Sequence, residues 1–508
     1  MDRPETILKK YWGHSAFLPH QQEIIASVLE GRDTLAVMAT GGGKSLCYQL
    51  PAVCSGGLSI VISPLLALMK DQVDDLNNRG ICAAAWTGAL DFQERQNIGK
   101  SLREGTLRLL FVSPEKCLQA NFLSSLRDCQ VRLIAIDEAH CISEWGHNFR
   151  PEYRQLRKVR TIFPDVPIIA LTATAMPEVR RDIISQLCLV NPNEFVGSFN
   201  RVNLHYSVME KKNPLIFLRH YLGRHRDDSG IIYCMSRAGT EETAAALQKS
   251  GFLAAAYHAG LPGHVREEVQ NAFLRGDVHV VCATVAFGMG IDKPDVRYVI
   301  HYDVPKTLES YYQETGRAGR DGRYSECILL YSPGDVGRIR SMLRHDTANP
   351  DTIRHAERKL QEMTDFCETT TCRRRYLLRY FGELHPADAC GSCDVCDHPP
   401  NTVDGTDAAR QIVRCIQALP APFGAELISD VLRGSKSRKI YGYGFHRLAI
   451  YGTGRNFSKT QYRTWINELV RQGYLVRKGS EYPVIGVSGK GAGLLQDHRK
   501  IMLPAPVS

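Results

Sequence analysis

Short apolar segments alternate with helix-length segments along the first two thirds of the chain. Five lie before residue 175 and five after residue 230, at residues 35–38, 59–62, 109–112, 133–136, 168–171, 231–234, 254–257, 278–283, 298–301 and 327–331. This alternation predicts α/β domains built on parallel sheets. Because a polar stretch at residues 200–213 separates the two series, we predict two such domains in tandem, over residues 1–202 and 203–340.

The alternation ends near residue 341. A charged helical pattern then leads to a cluster of cysteines near residue 390 and to a helix-breaking sequence, Pro399-Pro400-Asn401. We therefore predict a small helical module over residues 341–401.

Residues 402–508 carry the pattern of a further small domain. Two amphipathic helical patterns come first, and a third begins at the capping-box pair Ser458 and Gln461. Two short apolar segments, residues 474–476 and 484–487, then predict a hairpin. Three helices and a hairpin indicate a winged-helix domain.

Composition and charge narrow the class of protein. With 508 residues, 44% hydrophobic and 23% charged, the chain has room for several cores and the make-up of a globular protein. The formal net charge of +9 favours a polyanionic partner. The sequence holds no run of about 18 uncharged apolar residues and no signal-peptide pattern. We expect an intracellular protein without a membrane partner, nucleoid-associated in a prokaryote or nuclear in a eukaryote, with most of its 16 cysteines reduced.

A glycine-rich loop joins the first predicted strand to a helix-forming segment. The loop consists of Thr40, Gly41, Gly42, Gly43, Lys44 and Ser45. In such a loop backbone N–H groups hold phosphate oxygens, the lysine neutralises the outer phosphates of a nucleotide such as ATP, and the Ser45 hydroxyl binds Mg²⁺. Met38 stands where the G-x-x-x-x-G-K-S pattern has its first glycine. A glycine-rich turn without a nucleotide is therefore the alternative.

Two carboxylates follow another buried strand. Asp137, Glu138 and His140 come directly after the apolar residues 133–136. Since the carboxyl ends of parallel strands share one edge of a sheet, we expect Asp137 to hold Mg²⁺ beside the glycine-rich loop. Glu138 is then placed to orient or deprotonate the attacking water. The alternative is a surface pair of carboxylates that caps the next helix.

An arginine pair lies in the second α/β domain, within the sequence QETGRAGR. Arg317 and Arg320 follow Gln313 and would share one face of a helix, because they are three residues apart. Opposite a bound γ-phosphate, this pair would stabilise the charge of the transition state. The alternative is a solvated basic face. A nucleotide site that two domains close would couple hydrolysis to domain motion.

The helical module holds three cysteines at C-x-x-C-x-x-C spacing, Cys390, Cys393 and Cys396. A fourth thiolate, from Cys372, would complete a tetrahedral Zn²⁺ site. Cys367 is an alternative fourth ligand, Asp397 and His398 are also able to coordinate, and unligated core thiols are the alternative to a metal.

These motifs and their order resemble superfamily 2 helicases, and most closely the RecQ family of DNA helicases, over nearly all of residues 1–490. Between them lie further segments that resemble successive helicase motifs: ISPLLAL at 62–68, FVSPE at 111–115, LTATA at 171–175, IYCMSR at 232–237, YHAGL at 257–261 and ATVAFGMGID at 283–292. The resemblance implies two tandem RecA-like parallel-sheet domains, then a helical zinc-binding module and a winged-helix (RQC) domain. It also favours Cys372 over Cys367 as the fourth zinc ligand.

The resemblance adds residues to the nucleotide site. The sequence FLPHQ resembles the family's adenine-reading motif, which makes Phe17 and Gln21 contacts for ATP. Leu18 stands where the family usually has arginine. In the second domain Gly290 and Asp292 are further implied ATP contacts.

The resemblance also implies contacts with the DNA backbone. They fall on Ser63, Pro64, residues 113–115, Ser236, His258 and Thr284. Each of these residues is also suited to a helix cap or a turn. Thr172 and Thr174 would couple the nucleotide and DNA sites.

The segment CISEWGHNFR after His140 is the most characteristic of the family. In it Trp145, His147, Phe149 and Arg150 would bind single-stranded DNA, where stacking on an aromatic side chain is worth roughly 1 to 3 kcal/mol per base. Trp145 and Phe149 are four residues apart, which would also suit a buried helix face. In the winged helix, the basic residues 433–439 suit the backbone of duplex DNA, or a solvated loop.

The implied function is that of an ATP-dependent 3′→5′ DNA helicase with ATP, Mg²⁺ and Zn²⁺ as cofactors. It would translocate on single-stranded DNA and unwind duplex, forked or recombination-type DNA in repair, recombination and replication. Besides DNA, the implied partners are a single-strand-binding protein and a topoisomerase, and the chain would act as a monomer. An RNA helicase and an ATP-gated clamp that does not unwind remain the alternatives.

Overall fold

The computed structural model describes residues 3–64, 66–88, 90–143, 150–288, 293–346, 349–399, 401–478, 484–496 and 500–506. The chain divides into two units, residues 1–332 with 374–387 and residues 333–373 with 388–508. Among the described residues no helix is both long and apolar enough to cross a membrane.

A seven-stranded parallel sheet carries the N-terminal domain, in the strand order β3-β4-β2-β5-β6-β1-β7. The strands are β1 (Thr34–Val37), β2 (Leu58–Ile62), β3 (Ala83–Trp86), β4 (Leu109–Val112), β5 (Val131–Ile136), β6 (Ile168–Thr172) and β7 (Asn193–Val196). The four residues of β1 and of β4 and the five of β2 and of β6 are all buried, because helices cover both faces of the sheet. Burial on both faces explains why these strands are continuous apolar runs in the sequence.

Ten helices belong to this domain. They are α1 (Pro4–Ile7), α2 (Gln21–Leu29), α3 (Leu46–Ser55), α4 (Leu66–Asn78), α5 (Phe92–Arg103), α6 (Pro114–Cys117), α7 (Ala120–Ser125), α8 (Pro151–Arg154), α9 (Arg157–Ile162) and α10 (Pro177–Gln186) among the described residues. A π-helical turn, Leu8–Trp12, follows α1, and a 3₁₀ turn, Ala139–Ile142, follows β5.

A six-stranded parallel sheet carries the second domain, in the order β10-β11-β9-β12-β13-β8. Its strands are β8 (Leu204–Glu210), β9 (Ser229–Tyr233), β10 (Ala254–Tyr257), β11 (Val280–Ala283), β12 (Val296–His301) and β13 (Ser325–Tyr331). Its helices are α11 (Pro214–Arg224), α12 (Arg237–Gln248), α13 (Gly263–Arg275) and α14 (Leu308–Thr315). The two predicted α/β domains are confirmed.

Three strands lie where the sequence predicted none. Strands β7 and β8 are edge strands, and β8 falls within the polar stretch 200–213 that separates the two series of apolar segments. In β8 the buried residues are Leu204 and Tyr206, and the residues around them are partly exposed. An edge strand with one covered face has too few apolar residues to form a run, and β3, rich in alanine, is a similar case.

The second unit contains the remaining helices. They are α15 (Pro333–Asp346), α16 (Pro350–Cys367), α17 (Arg373–Tyr380), α18 (Asp394–Asp397), α19 (Thr406–Ala418), α20 (Ala425–Arg433), α21 (Arg438–Gly442), α22 (Lys459–Arg471) and α23 (Gly489–Gly493). Of α17 only Arg373 belongs to this unit, since residues 374–387 are part of the first. Two antiparallel pairs complete it, β14 (Thr402–Asp404) with β17 (Met502–Pro504) and β15 (Leu475–Lys478) with β16 (Val484–Val487).

The predicted winged helix is confirmed in α19, α20, α22 and the β15-β16 hairpin. Tyr462 and Trp465 on α22 are buried in its core. The Ser458 hydroxyl accepts the N–H of Gln461 at 3.0 Å and caps α22, as predicted. The side-chain amide of Gln461 donates to the carbonyl of Pro504 at 3.1 Å, which ties α22 to β17. The hairpin tip, residues 479–483, lies outside the described residues.

Candidate nucleotide and nucleic-acid site

The predicted site residues of the first domain follow the carboxyl ends of neighbouring strands. The glycine-rich loop follows β1, Ser63 follows β2, Asp137 follows β5, and Thr172 ends β6. Because β2, β5, β6 and β1 are adjacent in the sheet and parallel, these residues meet at one edge. The sheet thus brings together the loop and the carboxylates.

The glycine-rich loop has a backbone conformation that residues with side chains rarely adopt. Gly41 and Gly43 have φ angles of 83° and 71°, in the left-handed region. A Cβ at Gly43 would lie 2.3 Å from Nε2 of Gln21. The Lys44 ammonium donates to the carbonyls of Met38, at 3.1 Å, and Ala39, at 3.5 Å.

Met38 does not disturb this loop. Its side chain is buried in the core that lies against β1, and its φ angle is not positive. Its carbonyl is free to accept from Lys44 whatever the side chain. The glycine expected at this position of the pattern is therefore not required by the backbone.

Gln21 joins the FLPHQ segment to the glycine-rich loop. Its side-chain oxygen accepts the N–H of Leu18 at 2.8 Å, and its amide donates to the carbonyl of Gly43 at 3.1 Å. Phe17 packs against a small core formed by helices α1, α2 and α3 and the π-helical turn. The two predicted ATP contacts thus lie on the segment that contacts the loop, while Leu18 is about half exposed.

Asp137 is a buried carboxylate at the end of β5. It accepts the N–H of Glu138 at 2.9 Å, and the Tyr153 hydroxyl donates to its backbone carbonyl at 3.0 Å. The pKa of Asp137 is raised to about 7, mainly by burial and secondly by the neighbouring Glu138 carboxylate. Burial and Glu138 disfavour the ionised form of this carboxylate beside the glycine-rich loop. The position therefore fits a divalent cation, which would stabilise the ionised form. Tyr153 was not predicted, because it lies 16 residues along the chain from Asp137.

Glu138 has a strained backbone. Its side-chain carboxylate also acts on Lys44 of the glycine-rich loop. Its φ of 48° and ψ of 44° are left-handed, which is uncommon for a residue with a side chain. Burial lowers the pKa of Lys44, whereas the carboxylates of Glu138 and Asp137 act in the opposite direction. Both carboxylates therefore lie within electrostatic reach of the lysine.

A series of polar contacts leads from Glu138 into the second domain. His140 Nδ1 lies 3.2 Å from a carboxylate oxygen of Glu138 and 2.9 Å from the Thr172 hydroxyl. That hydroxyl donates to the Thr174 carbonyl at 3.1 Å, so it acts as acceptor toward His140, and Nδ1 must carry the hydrogen. Gln313 of the second domain donates to the Thr174 hydroxyl at 3.2 Å.

His140 is charged more readily than an ordinary histidine. Desolvation of the buried ring disfavours the charged form, but the Cys141 sulfur and the Glu138 carboxylate outweigh it and raise the pKa of His140 to about 10. A charged His140 can donate from Nδ1 toward both Glu138 and Thr172.

The arginine pair does not lie on a helix, which corrects the prediction. Helix α14 ends at Thr315, and Gly319, with a φ of 56°, makes the following turn. Arg320 lies against the glycine-rich loop, since its Cγ is 3.5 Å from the position that a Cβ of Gly41 would take. Arg317 is buried within the second domain, with Nη2 3.0 Å from the corresponding position at Gly288. Arg320 thus packs beside Gly41 and Arg317 beside Gly288.

Arg201, a residue that the sequence did not single out, also reaches the glycine-rich loop. One guanidinium nitrogen donates to the carbonyls of Thr40 and Gly316, both at 3.1 Å. The other donates to the carbonyls of Ala318 and Gly319, both at 2.9 Å. All four acceptors are backbone carbonyls, so the residue types around them gave no signal.

The predicted DNA contacts lie at the carboxyl ends of strands in both sheets. Ser236, His258 and Thr284 follow β9, β10 and β11, which are adjacent. The Ser236 hydroxyl caps α12 by accepting the N–H of Gly239 at 3.0 Å, and His258 Nε2 lies 2.9 Å from Glu241. Ser63 is buried at the end of β2.

Arg150 is the predicted DNA contact of the segment CISEWGHNFR that lies within the described residues. It donates through its guanidinium to the carbonyl of Pro64 at 3.4 Å, and its N–H donates to the carbonyl of Cys141 at 2.9 Å. Two predicted DNA contacts, Arg150 and Pro64, are therefore neighbours. Trp145, His147 and Phe149 lie outside the described residues, as do Gly290 and Asp292.

The four predicted zinc ligands come together. The sulfurs of Cys372, Cys390, Cys393 and Cys396 all lie within 4.8 Å of one another, as a tetrahedral Zn²⁺ requires. Cys367 is buried outside this group. Arg373, directly after the first ligand, forms an ion pair with Asp394, directly after the third, at 2.5 Å.

The winged helix exposes basic and aromatic side chains between α20 and α22. Those exposed are Arg433, Lys436, Arg438, Lys439, Tyr441, Tyr443 and Arg447. The Tyr441 ring stacks on His446 with centroids 4.5 Å apart. This surface, which we call the basic face, matches the predicted duplex contact in position and charge.

Four protein-family models match the chain in succession. They are the DEAD/DEAH box helicase (residues 18–183), the helicase conserved C-terminal domain (213–322), the RecQ zinc-binding domain (333–397) and the RQC domain (399–508).

Curated proteins from three bacteria are similar along almost the whole chain, and each is called "ATP-dependent DNA helicase RecQ". The Pasteurella multocida protein is 45% identical over 469 residues, which is 92% of this chain and 74% of that protein. For Haemophilus influenzae the identity is 43%, over 99% of this chain and 81% of that protein. For Bacillus subtilis it is 40%, over 98% and 84%.

Solved structures show the same fold at low identity. The Mycobacterium smegmatis helicase Lhr, bound to ssDNA and AMP-PNP, superposes with a TM-score of 0.54 at 17% identity, over 95% of this chain and 60% of that one. The DUF1998 helicase MrfA, bound to DNA and AMPPNP, gives 0.56 at 18%, over 76% and 59%. Since the helicase, RecQ zinc-binding and RQC models match it in succession and the three bacterial relatives match 92 to 99% of its length, the chain belongs to the RecQ family of superfamily 2 helicases.

Proposed function

We propose that this protein is an ATP-dependent DNA helicase that translocates 3′→5′ on single-stranded DNA and unwinds duplex, forked or recombination-type DNA in repair and recombination. The observation that carries the proposal is a path of polar contacts, which runs from Glu138 through the ion-pair distance to His140 and then through hydrogen bonds of Thr172 and Thr174 to Gln313. A path that begins at the hydrolytic carboxylate and ends in the other α/β domain suits an enzyme that converts hydrolysis into domain motion.

In the proposed reaction the first domain binds the nucleotide. Backbone N–H groups of the glycine-rich loop and the Lys44 ammonium hold the phosphates, and Ser45 with Asp137 would hold Mg²⁺, which neutralises phosphate charge. Lys44 is already directed across the loop toward the carbonyls of Met38 and Ala39. Glu138 accepts the proton of the attacking water or orients it.

The second domain contributes charge to the same place. Arg320 lies beside Gly41, where its guanidinium can stabilise the negative charge that develops on the γ-phosphate. Gln313 reports the state of the site through Thr174. In this proposal Arg317, buried beside Gly288, acts after a rearrangement of the second domain.

Single-stranded DNA would cross the carboxyl-terminal edges of both sheets. The residues proposed to meet it are Ser63, Pro64, Arg150, Ser236, His258 and Thr284, with Trp145, His147 and Phe149. Hydroxyl and backbone groups at strand ends suit phosphate contacts, which carry no sequence preference. The basic face of the winged helix would hold the duplex by the same kind of contact.

Several further features belong to the proposal. Phe17 and Gln21 would read the adenine, with Gly290 and Asp292 added from the second domain. We also propose domain boundaries near residues 202, 340 and 401, a monomeric chain, and a single-strand-binding protein and a topoisomerase as protein partners.

The decisive experiment is unwinding of a forked DNA duplex by the purified full chain. We expect ATP-dependent strand release from a substrate with a 3′ single-stranded tail and none from one with only a 5′ tail. Lys44→Ala should abolish strand release and hydrolysis while DNA binding persists, and Lys100→Ala, an exposed lysine of the same domain, should behave as wild type. Hydrolysis without strand release would indicate the clamp instead.

A second experiment separates DNA from RNA as the tracking strand. The ATPase rate is measured with single-stranded DNA and RNA of the same sequence and length. We expect the stronger stimulation by DNA. Stronger stimulation by RNA would overturn the choice of nucleic acid and leave the ATPase assignment intact.

A further inference from the structure

The linker between the two α/β domains holds a side chain that touches both. Arg201 lies between β7 and β8. Its guanidinium is only partly exposed and makes four hydrogen bonds of 2.9–3.1 Å to backbone carbonyls. Four charge-assisted bonds from one planar, rigid group hold the acceptors in a fixed mutual arrangement.

The acceptors of these bonds lie in two loops that both serve the nucleotide. The Thr40 carbonyl belongs to the start of the glycine-rich loop of the first domain. The carbonyls of Gly316, Ala318 and Gly319 belong to the turn that carries Arg317 and Arg320. Arg201 therefore links the glycine-rich loop to the turn that carries the arginines, through backbone carbonyls on both sides.

The linker that carries Arg201 is itself held in place by Arg374, which is buried. One nitrogen of Arg374 donates to the side-chain oxygen of Asn200 at 3.0 Å and also to the Arg201 carbonyl. The other nitrogen donates to the Leu204 carbonyl at 2.5 Å. The backbone on both sides of Arg201 is thus fixed, which orients its side chain.

Aromatic packing on Phe199, two residues before Arg201, also supports the linker. The Phe199 ring stacks on Phe381 with centroids 4.7 Å apart, and the Tyr312 hydroxyl donates to the Phe199 carbonyl at 2.9 Å. Tyr312 lies on α14, one residue before Gln313. The linker is therefore attached to the helix that leads into the arginine turn.

We propose that Arg201 is a positioning residue of the ATPase cycle, which sets the distance between the glycine-rich loop and the arginine turn and so couples nucleotide binding to domain closure. The proposal rests on the proposed ATPase function. Of its four bonds only the one to Thr40 reaches the first domain, so motion of the domains changes that bond and leaves the other three in place. Loss of this bond leaves a partly buried charged donor without its acceptor, which favours the arrangement in which the loops are together.

Asn203 supplies a matched control, because it binds the same turn without crossing to the first domain. Its side-chain amide donates to the carbonyls of Gly319 and Arg323, both at 2.8 Å. If support of the turn alone were what Arg201 provides, removal of either side chain should have a similar effect.

The test compares Arg201→Ala, Arg201→Lys and Asn203→Ala in the full chain. Three quantities are measured: kcat and KM for ATP with saturating single-stranded DNA, the melting temperature, and the ratio of DNA affinities with and without a nonhydrolysable ATP analogue. For Arg201→Ala we expect kcat to fall by roughly tenfold to a hundredfold, as misplaced catalytic groups do, with KM within about threefold of wild type. The affinity ratio should approach one.

The conservative variant makes the test independent of folding. Arg201→Lys keeps the charge, but a single ammonium cannot span both loops, so it should show the same loss of coupling with a melting temperature near that of wild type. Asn203→Ala should keep kcat and the affinity ratio within about threefold of wild type, since the cross-domain bond is intact.

Three outcomes would overturn the inference. They are wild-type kcat and coupling in Arg201→Ala, full rescue by Arg201→Lys, and an equal loss in Asn203→Ala. Absence of ATPase activity in the wild-type chain itself would overturn the proposed function and this inference together. An active wild type with an unaffected Arg201→Ala would overturn this inference alone.

Discussion

The Thr172 hydroxyl accepts the Nδ1–H of His140 at 2.9 Å and donates a hydrogen bond to the Thr174 carbonyl at 3.1 Å. One hydroxyl therefore connects His140, which follows β5 and its two carboxylates, with Thr174, which follows β6 and accepts from Gln313 of the second domain. All three groups, His140, Thr172 and Thr174, are buried, so water does not compete for these bonds.

Replacement of Thr172 by valine should separate hydrolysis from unwinding. Valine keeps the shape but removes all three hydrogen bonds of the hydroxyl, so the contact between His140 and Thr174 is broken. We expect the number of base pairs unwound per ATP hydrolysed to fall by about tenfold, with KM for ATP within about threefold. Unwinding and hydrolysis are measured on the same forked substrate.

The control for this variant is Thr364→Val in α16. Thr364 is also buried, and its hydroxyl donates to the Leu360 carbonyl of its own helix at 2.8 Å. It should lose some stability but keep the wild-type ratio of unwinding to hydrolysis. If Thr172→Val kept the wild-type ratio of unwinding to hydrolysis, the role of the Thr172 hydroxyl in coupling the two would be contradicted.

The raised pKa of Asp137 predicts a pH-dependent cost to folding. Between the unfolded pKa near 4 and the folded value of about 7, the folded chain holds a proton that the unfolded chain has released. Stability from this group therefore falls as pH rises through that window, and the full cost is present above it. Asp137→Asn removes the cost, so in metal-free buffer it should melt at least about 2 to 4 °C above wild type near pH 8. The difference should be smallest near pH 4.

Two comparisons test the origin of that difference. Asp227→Asn, at an exposed position, should not reproduce it. Addition of Mg²⁺ with a nonhydrolysable nucleotide should reduce it, because a bound cation favours the ionised carboxylate. A melting difference that is constant across the pH range would show that Asp137 is not the titrating group.

The ion pair between Arg373 and Asp394 predicts a change in metal retention. Each residue directly follows a cysteine of the metal cluster, so the pair fixes the relative position of Cys372 and Cys393. Groups that hold ligands in place typically contribute tenfold to a hundredfold to metal affinity. We expect Arg373→Ala to release Zn²⁺ to a colorimetric chelator at least about tenfold faster than wild type.

Arg354→Ala in α16 is the control for zinc release. Arg354 also pairs with an aspartate, Asp351, but both side chains are more than half exposed and far along the chain from the cysteines. Its zinc release should match that of wild type. Equal release rates in Arg373→Ala and Arg354→Ala would remove the positioning role of Arg373.

The basic face predicts a change in the salt dependence of duplex binding. Lys439 is exposed on α21, and neutralisation of one phosphate contact lowers the slope of log affinity against log salt by about one. Lys439→Ala should show that smaller slope equally on duplexes of unrelated sequence. Lys500→Ala, an exposed lysine that pairs with Asp404, should keep the wild-type slope, and an unchanged slope in Lys439→Ala would exclude this lysine from the contact.

The sequence predicted those features whose cause is local. The central strands are apolar because both faces are covered, and the phosphate loop needs glycine where φ is positive, at Gly41 and Gly43. The cysteine spacing indicated a metal cluster because a tetrahedral ion dictates its ligands. In each case the physical requirement fixes residue types at fixed separations.

Features that depend on distant backbone groups could not be predicted in this way. Arg201 binds carbonyls, which every residue has, and strand β8 is held by pairing with β13 rather than by its own apolar content. The prediction that Arg317 and Arg320 share a helix face was wrong, because a three-residue spacing places two side chains on one face only if the helix continues. Here the helix ends at Thr315.

The Lys44 ammonium donates to the carbonyls of Met38 and Ala39. A phosphate that binds all three N–H groups of the ammonium must therefore take two of them from these carbonyls, so part of the exchange replaces hydrogen bonds instead of creating them. Calorimetry of nucleotide binding should accordingly give a smaller heat than the number of phosphate contacts suggests. An inhibitor that leaves Lys44 on its own carbonyls would avoid this exchange.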